Sequence, residues 1–94
     1  MILKREMGFT RDEFNRQLQK ALARYSYSYS GDHIEINPGT GTVTIDIETE
    51  STRVLSPHVK FPVLPITMSF MDMDEENIDI FLKRFNASFQ KGLG

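Results

Sequence analysis

A strict alternation restricts the fold more than any other feature of the chain: Thr42-Val43-Thr44-Ile45-Asp46-Ile47-Glu48, entered from His33-Ile34-Glu35-Ile36-Asn37 through the turn Pro38-Gly39-Thr40-Gly41. Successive side chains of a strand point to opposite faces. Ile34, Ile36, Val43, Ile45 and Ile47 therefore line one face, with Glu35, Asp46 and Glu48 on the other. Such strands cannot be covered on both sides, which excludes a parallel sheet and predicts an antiparallel one with a wet face. Gly39 and Gly41 serve the turn. No Gly-Lys-Ser/Thr follows them and no helix opens there, so they are not a phosphate loop.

Two helices flank this region. Thr10-Arg11-Asp12-Glu13 is a capping box, with Phe9 and Phe14 at the positions of a hydrophobic staple. Phe14, Leu18, Ala21, Leu22 and Tyr25 then share a stripe, which predicts a helix over about 11–25. Its outer side carries Arg16, Lys20 and Arg24, a solvated face first and a phosphate-binding one only second. The second helix is predicted over about 74–90, with Ile78, Phe81, Leu82, Phe85 and Phe89 in one wedge and Ile80 and Ala87 pointing away. Gly92-Leu93-Gly94 is expected to end it.

Between them, Tyr25-Ser26-Tyr27-Ser28-Tyr29-Ser30 has period two and predicts a strand from near Tyr27. The expected strands are 27–37, broken by a turn at Gly31-Asp32, then 42–48, 52–56 and 66–71. Pro57, Pro62 and Pro65 each lack a donor, which predicts an edge segment or loop over 57–65. The apolar residues change parity from Val59, Phe61 and Val63 to Ile66, Met68 and Phe70, predicting a bulge or kink at Leu64-Pro65. Met1–Met7 is assigned no element.

Ninety-four residues suit one domain. The absence of cysteine removes disulfides, thiolate nucleophiles and cysteine metal sites. The first seven residues lack the apolar core of a signal peptide and no apolar run is long enough to span a bilayer, so a cytoplasmic setting is expected, with no membrane partner. The net charge of −2 is unevenly spread: residues 1–30 hold six Lys or Arg against three acids, residues 31–94 five against ten. That asymmetry suits docking of two copies at least as well as a polyanion. Nucleic-acid binding through Arg16, Lys20, Arg24 and the tyrosines is disfavoured by the acidic balance.

Five of the thirteen carboxylates fall between Asp72 and Asp79. Asp72, Asp74 and Glu76 alternate as hard-cation ligands do, yet no central glycine is present and a helix starts at once. Acids at a helix start also complement its dipole and cap its free N–H groups, with Asp72 or Asp74 as the cap. Capping outweighs metal binding, and no metal or cofactor is assigned. Asp32-His33 and Ser56-Pro57-His58 do not make a catalytic relay, because neighbours along a strand face opposite ways. No catalytic residue is assigned.

The expected fold is an α+β two-layer sandwich, an antiparallel sheet of three to five strands with the N-terminal and C-terminal helices packed on one face. The first functional expectation is a non-enzymatic, self-associating interaction or accessory module, contacting itself or another protein through an exposed sheet edge or the outer side of the second helix near Ile80 and Ala87. The alternative is a ligand-binding or enzymatic domain using an intersubunit cleft lined by Tyr27, Tyr29 and His58.

Overall fold

A computed structural model describes residues 1–90. The elements run β1 (Ile2–Met7), α1 (Arg11–Ala21), β2 (Ser26–Ser30), β3 (His33–Asn37), β4 (Thr42–Ile47), β5 (Ser51–Ser56), β6 (Val59–Met71) and α2 (Glu75–Ser88). The fold is α+β, with a six-stranded antiparallel sheet ordered β1-β6-β4-β3-β2 and β5 paired to β6 off that path. No helix among the described residues is long and apolar enough to cross a membrane. The expected stop at Gly92-Leu93-Gly94 lies outside the described residues.

The two alternating stretches become β3 and β4, pairing Ile34 with Ile45 and Ile36 with Val43. All four side chains are fully buried. Along the same face, Leu3 stands opposite Met68 and Met68 opposite Ile45, so a continuous apolar row crosses β1, β6, β4 and β3. Phe14, Leu18, Ala21 and Leu22, from α1 and its C-cap, and Ile78, Phe81 and Phe85 of α2 complete one buried cluster with these strands.

The capping box forms as the sequence predicts: the Glu13 N–H donates to Thr10 Oγ1 at 3.2 Å and the Thr10 N–H to Glu13 Oε1 at 2.9 Å. Phe9 and Phe14 both pack on Phe89, with ring centroids 5.5 and 5.0 Å away. The helix ends at Ala21, four residues earlier than predicted, with Leu22 as its C-cap. Tyr25 through Ser30 fits a strand better than another turn of helix, because Ser26 to Ser30 can pair with Asn37 to His33.

Three expectations need correction. The sheet has six strands, one more than the upper expectation, because Met1–Met7 contains an edge strand. Its signal was weak: only Leu3 and Met7 reach the inner face, with Arg5 between them bonded to Asn86 of α2. Of the two expectations for residues 57–65, edge segment or loop, the edge segment holds for residues 59–63, which pair on one side only, and the loop does not. Apart from the turn at Pro57-His58, residues 57–65 are the first half of the 13-residue β6, whose second half lies between β1 and β4.

Pro65 is tolerated there because its carbonyl accepts the Glu48 N–H at 2.9 Å while the reverse bond, which it cannot make, falls where the β4 ladder ends. By the alternation of the strand, the missing donor of Pro62 points to the other side, beyond the last β1 pair at Met7–Leu64.

The third correction concerns the bulge. Pairing of β6 with β1 runs unbroken through Leu64 and Pro65. On its other side, Ile66 pairs with Ile47 and Val63 with Ser51, so three steps of β6 face four of the opposing chain. One extra residue therefore sits between β4 and β5. The parity change in β6 has a different origin: Leu64, Ile66, Met68 and Phe70 face the core, whereas Val63 is buried outside the core cluster.

Gly41 is the glycine the fold leans on. Its φ is +67°, and a β-carbon there would run into the carbonyl oxygens of Met71 and Asp72. Gly31 also has positive φ, +63°, but open space around it. Gly41→Ala is expected to cost about 2–4 kcal/mol, against about 1–2 kcal/mol for Gly31→Ala, measured by urea denaturation. Equal losses at the two sites would contradict the packing of Gly41 under the β6–α2 junction.

Candidate functional site

The face of the sheet away from the helices is polar. Register places Lys4, Thr67, Asp46, His33 and Ser30 in one row across β1, β6, β4, β3 and β2. His33 Nδ1 lies 2.6 Å from Asp46 Oδ1. The neighbour in sequence, Asp32, instead accepts from Arg11 at 2.7 Å. Strand pairing, and not chain adjacency, chose the partner. Both His33 and Asp46 stay about half exposed, so solvent screens the pair and it adds little stability. Proton transfer gains from a site that excludes water, and this face does not supply one.

At the acidic junction, Asp74 is the cap. Its Oδ1 accepts the Asn77 N–H at 2.9 Å, and Glu75 and Glu76 occupy the first turn. Asp79 pairs with Lys83 at 3.0 Å, as their four-residue spacing predicts. Asp72 has φ of 57° and forms the tight turn against Gly41. Of the three alternating acids, Asp74 is thus committed to the backbone. Among the described residues no group of three or more His, Asp or Glu is placed to hold a metal ion. Asp74→Ala is expected to lower stability by about 1 kcal/mol, seen as a shift of the urea midpoint; an unchanged midpoint would remove the cap from the account.

Tyr27 and Tyr29 project from the outer strand β2 on the helix side of the sheet, opposite Ile36 and Ile34, with their rings 5.7 Å apart edge to face. His58 lies in the turn between β5 and β6. Strands β3 and β4 stand between β2 and β6, so topology keeps His58 and the tyrosines on separate parts of one chain.

The Tyr29 hydroxyl titrates above its ordinary value of 10.0, first because of partial burial and then because of Tyr27, with Arg11 opposing. A raised value means that the folded chain holds the proton more tightly than the unfolded one. The resulting stabilisation is complete below pH 10 and is lost as pH rises through the folded-state value. Tyr29→Phe is expected to flatten the loss of stability above pH 10, read by denaturation at several alkaline pH values. An unchanged alkaline slope would contradict it.

Ile80 and Ala87 lie on the outer side of α2, exposed. Other exposed apolar residues lie elsewhere. Residues 51–63 form an arm, β5 paired with the first half of β6, and it leaves Val54, Leu55, Val59 and Phe61 between 42% and 64% accessible. At its root Arg53 pairs with Glu6 at 3.3 Å, beside a depression of about 260 Å³ bordered by Phe61, Val63 and Gly8. The prolines hid this arm from the sequence. The available signal was that apolar residues persisted through a stretch read as an edge segment or loop.

No protein-family model matches the chain, and no curated protein matches it significantly.

Proposed function

We propose that the protein is a self-associating interaction module whose β5–β6 arm docks on a second copy of the chain. The arm carries this reading. A two-stranded ribbon is marginal in water, and this one exposes Val59 and Phe61 on one face and Val54 on the other, so it gains from a second surface. Burial of each such side chain contributes about 1.5–3 kcal/mol when complete.

Charge supports the choice of surface. The arm contains Lys60, His58 and Arg53 and no acid, although Arg53 is paired with Glu6 at its root. At the opposite end of β6, Met71 and Ile80 are exposed among Asp72, Asp74, Glu75, Glu76 and Asp79. Thirteen strand residues separate the two ends by about 40 Å, close to the longest dimension of the molecule, 46 Å. Two copies laid antiparallel about a two-fold axis would bring each basic arm to the other's acidic end, making both contacts at once.

Sedimentation equilibrium between about 1 µM and 1 mM is expected to show a dimer. Val59→Asp with Phe61→Asp should weaken it at least about tenfold, and Lys60→Glu or added salt should weaken it by a smaller factor. A monomer throughout that range, or a dimer indifferent to all three substitutions, would sink the proposal.

A further inference from the structure

A second feature lies within one chain and does not depend on association. The turn after α1, the start of β2, the β3–β4 turn and α2 meet around a cleft of about 430 Å³ lined by Arg24, Tyr25, Ser26, Asn37 and Arg84 among others. An adjoining cleft of about 240 Å³ shares Tyr25, Pro38 and Arg84 and continues over Phe81 and Met73, with Ile80 at the rim.

The polar groups of the first cleft are arranged to donate. Arg84 Nη1 donates to the Tyr25 hydroxyl oxygen at 3.3 Å, which leaves the phenol hydrogen for another acceptor. Asn37 Oδ1 is occupied by the Gly39 N–H at 3.0 Å, which leaves the amide hydrogens. Ser26 and Asn37 pair across β2 and β3 with their side chains on the face away from the helices, so they only border the cleft at its edge. No carboxylate lines either cleft. Among the described residues, neither Arg24 nor Arg84 makes an ion pair, although the chain as a whole is acidic.

We propose that this groove binds a small phosphate monoester, its phosphoryl group between Arg24 and Arg84 and its organic part along Tyr25, Phe81 and Met73. Two guanidinium groups match the roughly −1.5 to −2 charge of a phosphomonoester near neutrality, and the Tyr25 phenol suits one of its terminal oxygens. The apolar continuation distinguishes an ester from the free ion. A carboxylate would leave part of the donor set and half of the positive charge unused.

The test is an amide NMR titration of the full chain with phenyl phosphate, inorganic phosphate and benzoate as probes. Phenyl phosphate is expected to give saturable shifts at residues 24–26, 37, 39 and 80–84, with inorganic phosphate and benzoate each weaker by about tenfold or more. Arg24→Gln and Arg84→Gln should each weaken phenyl phosphate by about tenfold, and the double variant should abolish its binding. Both arginines are exposed, so the amide spectrum should otherwise keep its dispersion. Absence of saturation by about 10 mM, shifts that survive the double variant, or benzoate or free phosphate binding as tightly as the ester would each overturn the proposal.

Discussion

Strand β6 carries two ladders along its second half, to β1 on one side and β4 on the other, and a third to β5 along its first half. The positions of the other elements follow from that division. With β1 on one flank and β4, β3 and β2 on the other, β1 and β2 become opposite edges of the sheet, and α1 must carry the chain across it. The change from β4 to β5 takes place opposite Pro65, where a ladder bond is unavailable and one extra residue enters the opposing chain. Glu50, in that inserted segment, accepts the Arg11 N–H at 2.6 Å. A carboxylate is thereby placed at the positive end of α1, coupling the irregularity in the sheet to the start of the helix.

The core that results is unusually aromatic at one end. Phe89 contacts Phe9, Phe14 and Phe85; Phe81 contacts Phe85, Phe70 and Tyr25. Each such pair adds about 0.5–1.5 kcal/mol beyond burial, and together they bind the end of α2 to the start of α1 and to the sheet. The arm has no share in this cluster. Its apolar side chains Val54, Leu55, Val59 and Phe61 therefore find little cover within the chain. The donor-lined groove lies beside the cluster, where Tyr25 offers its ring to Phe81 and its hydroxyl to Arg84.

Local chemistry made much of this legible. Thr10 and Glu13 predicted the cap of α1, Ile34, Ile36, Val43 and Ile45 predicted the pairing of β3 with β4, and Asp79 with Lys83 predicted an ion pair on α2. Each depends on residues close in sequence or on one short hairpin. The failures have the same explanation in reverse. β1 carries only two inward apolar residues, so its pattern is too short to read, and it becomes a strand because Leu64 to Ser69 offers it an edge. The prolines of β6 break a rule for central strands, but that rule concerns the direction of a missing donor, which depends on the neighbouring strand. Asp32 and His33, neighbours in the chain, meet different partners, Arg11 and Asp46, since tertiary packing and cross-strand register decide which polar groups meet.

By itself, then, the sequence determined an antiparallel sheet with one wet face, two amphipathic helices with their caps, and the acidic start of α2, because these follow from periodicity and from hydrogen bonds spanning a few residues. Tertiary structure alone decided that β6 would be central, that its first half would leave the sheet as an apolar arm, and that Arg24 and Arg84 would face one cleft. Those outcomes depend on which strands share an edge and on where residues 59 positions apart come to lie, as Tyr25 and Arg84 do. No local pattern of side chains encodes that distance.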